Sequence, residues 1–246
     1  LGPGADNGQA PIQLTAIARE PVPPNAVVEK KIADIAQVGQ AIGAALLHSG
    51  SKTKRAAVAV AGSAVITKVL SFSAELSDAE MEAQIELEAD QYVPYPLEEV
   101  NLDFDVVGPT AGATGMVDVL LAASRQENVD DRVAALELAG LSAEIVDIES
   151  NAVENACGLL LAEAKDAPAG PPRLTAVADV GSTTTTLHVL RGSQNIYTRE
   201  QSFGGQQLIE EVQRRARCGR DEAFAVLASR PIPLELQTEV LAPFQD

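Results

Sequence analysis

Apolar residues recur along this chain with two alternating periods, and the alternation divides most of it into strands and helices. "IQLTAIARE" (Ile12–Glu20) reads as a strand, and the proline-rich "PVPPNAVVEKK" (Pro21–Lys31) is expected to block regular structure after it. Ile32, Ile35, Ala36, Val38, Ile42 and Leu46 then fall at helical spacing, which predicts a helix over Asp34–His48. "AAVAVAG" (Ala56–Gly62) is continuously apolar, as expected of a strand buried on both faces, and "VITKVLSF" (Val65–Phe72) follows as a second strand. Ser77 ahead of Asp78 and Glu80 is an N-cap with acids in the first turn, so "LSDAEMEAQIELEADQYV" predicts a helix. Met81, Ile85 and Leu87–Ala89 supply its apolar face, and the prolines of "VPYP" end it.

The second half of the pattern continues in the same way. "VNLDFDVV" alternates as a half-exposed strand, and "VDVLLAAS" is the next strand. "ENVDDRVAALELAG" is a helix closed by Gly140, and "SAEIVDIE" is a strand. "SNAVENACGLLLAEA" is a helix capped by Ser150 or Asn151. "KDAPAGPPR" (Lys165–Arg173) is the strongest linker signal, and a subdomain boundary is expected there. Beyond it stand a strand, a Thr-rich turn, a strand, a third strand near "NIYTREQSF" and a long helix after Gly204-Gly205. The interleaving of helices and strands predicts a mixed α/β fold. The segment from about Ser71 to Ile148 has its own helix–strand–strand–helix–strand rhythm, as a small inserted unit would.

Composition narrows the function classes. The 246 residues suffice for one large or two medium domains, and the core must come from Ala, Val, Leu and Ile because tryptophan is absent. A net charge of −17 repels polyanions, which argues against a broad nucleic-acid surface. Cys157 and Cys218 stand apart with no CxxC or His-rich partner, so reduced, buried thiols are expected rather than a zinc site. His48 and His188 are the only histidines. No apolar run reaches the roughly 18 residues that span a bilayer, and no secretory signal pattern opens the chain; a cytoplasmic location is expected.

The candidate chemistry lies in "AVADVGSTTTTLHVL" (Ala176–Leu190). Gly181 permits a close approach of backbone to ligand, and Ser182, Thr183 and Thr184 offer hydroxyl and amide donors suited to phosphate oxygens. Asp179 at the strand end could hold Mg²⁺ through water. A plain β-hairpin explains the same residues, since threonine suits strands. Gly204-Gly205 precedes a helix whose N-terminal amides suit an anion, or form only a tight turn. Arg214, Arg215 and Arg217 complement the dipole at that helix's other end. The acids of the Ser77 helix read as a solvated face, and Asp103 with Asp105 share one exposed strand face. His188 reads as a packed or surface side chain. No nucleophile elbow, Walker A loop or metal-ligand spacing appears.

Together, "PVPPNAVVEKKI", "AAVAVAGSAVITK", "IELEADQYVPYPLEEVNLDFDV", "VDVLLAASRQENVDDRVAALELAGL", "ADVGSTTTTLHVL", "IYTREQSFGGQQLIEEVQRR" and "EVLAPFQD" resemble, in order, the type IV pilus assembly PilM family. That family is actin-like and related to FtsA. The resemblance implies an actin-like ATPase fold, α/β, with an inserted 1C subdomain. Residues 1–70 correspond to part of subdomain 1A, 71–148 to 1C, 149–170 to the return helix of 1A and a linker, and 171–246 to part of 2A. It also implies ATP and Mg²⁺ as ligands. Asp179, Gly181, Ser182, Thr183 and Thr184 are carried over for phosphate and magnesium, with Asp179 the metal residue, and Gly204 and Gly205 for the turn near the nucleoside.

The implied role is a scaffold at the cytoplasmic face of the bacterial inner membrane. It binds the N-terminal cytoplasmic tail of the membrane protein PilN in a groove around 1A and 1C, coupling the pilus motor to the alignment complex. Motor proteins and a homo-oligomer are further implied partners; nucleic acid and direct membrane insertion are not. Two other classes share the fold: an ATP-hydrolysing enzyme, and an FtsA-like filament protein at the membrane. For the enzyme, only Asp179 and His188 stand near the Thr-rich hairpin, neither with an evident partner, and no catalytic residue is assigned. The family's "GIDISS"-like first phosphate loop and its subdomain 2B have no counterpart in the sequence, so weak ATP binding or none is expected of these 246 residues.

Overall fold

The computed structural model describes residues 13–163, 174–192 and 194–228. They belong to two compact units that divide between Ile148 and Glu149.

The first unit is built on two layers of pairing. A short hairpin, β1 (Val27–Val28) with β2 (Lys31–Ile32), opens it, and α1 (Ile35–Ser49) follows. Asp34 caps α1 by accepting from the Gln37 amide at 2.9 Å, and Gly50 ends it in the left-handed region. The strand β3 (Arg55–Val60) then pairs in parallel with β7 (Ser142–Ile148), far along the chain. Between them lie β4 (Val65–Ser73), α2 (Asp78–Ala89), β5 (Val100–Pro109), β6 (Met116–Arg125) and α3 (Gln126–Leu138).

These intervening strands form an antiparallel sheet in the order β4-β6-β5. Its alternation is that of a sheet with one covered face: Val117, Val119, Leu121 and Ala123 of β6 point to α2, and Asp118 points away. Met81, Ile85 and Ala89 of α2 pack on that face with Phe72, Val93 and Val100. Burying side chains such as Ile85 and Leu121 stabilises the unit by about 1.5–3 kcal/mol each. Ser77 and Glu80 form a full capping box at the start of α2. On the outer face Asp118 accepts from Thr110 Oγ1 at 2.6 Å and Ser71 Oγ at 2.9 Å, and these bonds hold its carboxyl below the usual range.

Helices α1 and α3 pack tightly because Gly39 has no side chain: a Cβ there would lie 2.8 Å from Leu138 Cβ. Gly140, at φ +74, closes α3.

The second unit contains α4 (Glu149–Glu163), an antiparallel sheet of β8 (Leu174–Val180), β9 (Thr185–Arg191) and β10 (Gln194–Gln201), then α5 (Gly205–Ala216) and α6 (Arg220–Ala228). The central strand is β9. Ile209, Val212 and Ala223 join α5 to α6.

Several expectations change. Residues 13–20 form no strand; Leu14 and Ile17 are exposed, with no neighbouring strand to satisfy their backbone. The proline-rich segment does hold regular structure, the β1–β2 hairpin, because Glu29 and Lys30 both take positive φ at its tip. The strand β3 is not buried along its length: only Val60, with Ala61 after it, is fully covered. Helix α4 starts at Glu149, ahead of the proposed caps Ser150 and Asn151. Cys157 and Cys218 are free but only partly buried. The Lys165–Arg173 linker, the opening "LGPGADNGQAP" and "EVLAPFQD" lie outside the described residues.

Candidate functional site

Two places in the molecule concentrate chemistry, one in each unit. The first is the Thr-rich turn between β8 and β9. The two strands run in register from Leu174↔Arg191 to Val180↔Thr185, so the turn is Gly181–Thr184. It is closed by the Gly181 amide donating to the Thr184 carbonyl at 3.0 Å. Ser182 and Thr183 stand exposed at the tip. Asp179 is exposed near the end of β8, directly across from Thr186.

Gly204 and Gly205 meet this turn from the start of α5. The Gly205 amide donates to the Gly181 carbonyl at 2.9 Å, and the Gln206 amide to the Ser182 carbonyl at 2.7 Å. The Gly204 amide donates to Gln207 Oε1 at 2.8 Å. The first-turn donors of α5 are therefore engaged by the hairpin and by the helix itself, rather than directed outward. A Cβ on Gly204 would come within 2.6 Å of the Gly181 and Ser182 carbonyl oxygens. Thr185 Oγ1 adds a bond to the Phe203 carbonyl at 2.7 Å. All seven residues singled out in the sequence (Asp179, Gly181, Ser182, Thr183, Thr184, Gly204 and Gly205) thus lie on one hairpin-and-helix junction.

That junction fits a phosphate group in its donor chemistry. The tip presents the side chains of Ser182 and Thr183 to solvent, with the exposed carboxylate of Asp179 nearby. Magnesium needs only one or two protein carboxylates, because it keeps most of its water. Among the described residues no cluster of three or more His, Cys, Asp or Glu side chains could hold a metal by itself. His188 is buried within β9 and its Nδ1 pairs with Thr198 Oγ1 at 3.1 Å, so its role is packing. On α5, Arg214 and Arg215 both pair with Glu211, whose carboxyl is pulled down to about 2 by Arg214 first and Arg215 second.

The second place is a cavity of about 150 Å³ in the first unit. It opens where the β1–β2 turn and the end of β3 face the sheet of β4, β5 and β6. Its wall includes Lys30, Lys31, Tyr95, Ser124, Arg125 and Asn128. No local sequence signal marked this cavity, since its residues come from five separate stretches.

One buried side chain ties the walls together. Arg132 of α3 donates through Nε to the Ala59 carbonyl at 2.8 Å, through Nη1 to the Asn128 carbonyl at 2.7 Å and through Nη2 to the Lys30 carbonyl at 3.1 Å. Asn128 Nδ2 donates in turn to Ser124 Oγ at 3.4 Å, and Ser124 Oγ donates to the Ala64 carbonyl at 3.1 Å. Glu29 and Lys30 sit at φ 49 and 63, a left-handed pair of the kind that two-residue hairpins require but that Asn and Gly adopt more cheaply. Such strain persists where surroundings hold it, and Arg132 grips Lys30 directly.

Beside the cavity, Arg125 ends β6 and leads into α3. Its terminal nitrogens pair with Glu127, Nη1 to Oε1 at 3.0 Å and Nη2 to Oε2 at 3.3 Å. Its guanidinium lies 5.3 Å from the Tyr95 ring centroid.

Comparison with known proteins gives the family and the fold. The family model for "Type IV pilus assembly protein PilM" matches residues 5–246. Among solved structures, the chain is similar to one in the "PilM-PilN type IV pilus biogenesis complex", with 29% identity and a TM-score of 0.70. That match covers 94% of this chain and 69% of the other. It also matches the ethanolamine utilization protein EutJ from Carboxydothermus hydrogenoformans, with 13% identity and a TM-score of 0.45, over 87% of this chain and 54% of that one. A third match is MreB5 of Spiroplasma citri bound to ADP, with 14% identity and a TM-score of 0.39, over 81% and 42%. Among the described residues no helix is long and apolar enough to cross a membrane. With the model matched along nearly the whole sequence, the chain belongs to the type IV pilus assembly protein PilM family and has its actin-like, mixed α/β fold.

Proposed function

We propose that this protein is a nucleotide-dependent scaffold at the cytoplasmic face of the inner membrane. It takes the N-terminal cytoplasmic tail of a PilN-type membrane protein into the cavity of the first unit. By doing so it links the pilus motor to the alignment complex. The observation that carries this reading is the cavity itself: about 150 Å³, part apolar and part cationic, with walls held by the Arg132 network. A volume of that order holds a single side chain, about the size of a benzene ring, rather than a helix. An extended segment that inserts one side chain while its backbone lies along the rim suits that shape. The layers around the cavity correspond in this reading to subdomains 1A and 1C.

The Thr-rich hairpin is proposed as the contact for the phosphates of ATP, with Asp179 holding magnesium through water. Gly204 and Gly205 bring the helix against the hairpin and set the shape of its tip. ATP supplies binding energy that favours one conformation; no residue here is assigned a catalytic role.

Titration of a synthetic PilN N-terminal peptide onto the protein by calorimetry tests the partner. Saturable binding in the micromolar range is expected, weakened by Arg132→Met if the walls matter. Absence of binding at millimolar peptide removes the reading. For the nucleotide, a fluorescent ATP analogue with Mg²⁺ should bind these 246 residues weakly, and Asp179→Asn more weakly still. Equal affinity for the two would remove Asp179 from the site.

A further inference from the structure

We infer that the open edge of β4 is a self-association surface. A second copy of this chain lays its own β4 there, antiparallel, with a twofold axis at Val69. Antiparallel ladders alternate: every second residue turns its amide and carbonyl to one neighbour, and the residues between turn theirs the other way. The phase is fixed at the end of β4. The Ala74 amide donates to the Gly115 carbonyl at 2.8 Å, while the next residue, Met116, faces β5 and accepts from the Thr110 amide at 2.9 Å. With the β4–β6 register, this turns the amides and carbonyls of Val65, Thr67, Val69, Ser71 and Ser73 away from β6. Among the described residues no strand pairs with that edge.

The groups already engaged on this edge lie at its two ends. The Val65 amide donates to the Gly62 carbonyl, and the Ser73 carbonyl accepts from the Leu76 amide at 3.3 Å. The open groups therefore run from the Val65 carbonyl to the Ser73 amide, symmetrically about Val69. In a pairing centred there, Val69 exchanges both bonds with its own copy, and Thr67 exchanges both with Ser71. The Ser73 amide then donates to the Val65 carbonyl, and the other bond of that pair is the one each chain has already satisfied internally. Every open group on the edge finds its partner in a copy of itself.

The side chains agree with this pairing. Thr67, Val69 and Ser71 are exposed on the face opposite α2, and Val69 is 55% exposed. The axis sets Val69 against Val69, with Thr67 against Ser71 on either side, and such cross-strand pairs are stabilising. Lys68 is the one charged residue of β4; it would face Leu70 of the copy, and its ammonium lies 5.0 Å from the Tyr92 ring centroid. The other edge of the same sheet is built differently. Strand β5 carries a bulge between Val106 and Gly108 and ends in Pro109, features that keep an edge from pairing, and β4 has neither.

Sedimentation equilibrium of the full chain tests the surface. A weak monomer–dimer equilibrium is expected, as for an interface below about 1,200 Å². Each copy carries −17, so added salt should strengthen the dimer by screening, whereas it would release a cationic segment of another protein. Val69→Pro removes the central donor without touching the β4–β6 ladder, and should weaken the dimer by about tenfold or more at a near-native thermal midpoint. Val69→Lys keeps the amide but opposes like charges at the axis, and should do the same if the proline variant fails to fold. Cross-linking reads the register in a chain with Cys157→Ala and Cys218→Ala. Val69→Cys should form a disulfide-linked dimer on mild oxidation, because facing Cα atoms would lie about 5.5 Å apart. Thr67→Cys should cross-link with Ser71→Cys and not with itself. A native chain that stays monomeric at every concentration and salt overturns the proposal and leaves the edge to another protein's strand. A dimer that survives both Val69→Pro and Val69→Lys overturns it too, as does cross-linking of Thr67→Cys with itself as readily as of Val69→Cys.

Discussion

The amide of Gly205 donates to the carbonyl oxygen of Gly181 at 2.9 Å, one of two backbone hydrogen bonds that join the first turn of α5 to the tip of the β8–β9 hairpin. The contact is possible because Gly204, just before it, presents no side chain to the hairpin. At φ −166 its backbone is extended, so space and not conformation requires glycine.

Gly204→Ala should therefore destabilise the second unit by about 1–3 kcal/mol, the range for overpacking a close contact. Gly205→Ala is the control. Its Cβ would approach only to 3.8 Å, and the change should stay within about 0.5 kcal/mol. Urea denaturation followed by circular dichroism measures both, and equal losses would contradict the spatial argument.

Arg132→Met should be more damaging than most single changes in the first unit. It removes the side-chain donor of the Ala59, Asn128 and Lys30 carbonyls, and the residue is only 8% exposed. A loss of about 3 kcal/mol is expected from the unsatisfied groups. Amide hydrogen exchange should also show the β1–β2 hairpin opening, because its Lys30 tip loses the grip of α3.

Gly39→Ala tests the packing of α1 on α3. Its Cβ would meet Leu138 Cβ at 2.8 Å and the Ala135 carbonyl at 3.0 Å, and backbone cannot yield as a flexible side chain can. The greater helix propensity of alanine opposes this by about 1 kcal/mol. A net drop in thermal midpoint is expected, and a rise would mean that the helices separate freely.

Acid should weaken the second unit through Glu211. Its folded carboxyl is held at about 2 against an ordinary 4.5, chiefly by Arg214 and then Arg215. A depressed carboxylate stabilises the fold above its unfolded value and loses that contribution as pH falls from about 4.5 toward 2. Glu211→Gln should flatten the pH dependence of unfolding in that window while leaving its form above pH 6 unchanged. Identical acid profiles would show that these arginines do not favour the charged form.

The sequence revealed most of the elements whose residues alternate cleanly or carry their own caps. The alternation of "VNLDFDVV" predicted β5, and Ser77 ahead of Asp78 and Glu80 predicted the start of α2. Features that depend on distant partners were not legible. Glu29-Lys30 is not a usual hairpin tip, and the Lys30 carbonyl of its left-handed pair is held by Arg132, 102 residues further on. The cavity was hidden for the same reason, since no window of sequence contains Lys30, Tyr95 and Arg125 together. By contrast, the residues of the Thr-rich turn are contiguous. Their chemistry could be read locally, while their closure by Gly204 depends on a segment some twenty residues downstream.

The parallel pairing of β3 with β7 has a consequence for synthesis on the ribosome. Arg55 meets Ser142, and everything between them must be made before the ladder can close. At about 5–20 residues per second, β3 waits roughly 4 to 17 seconds with its edge unpaired. The β4-β6-β5 sheet and α2 are complete within that interval, so they can collapse as a nucleus while the older strand is still exposed. The earliest strand of the parallel pair is thus among the last to be protected, and a chaperone's window on this protein would be centred there.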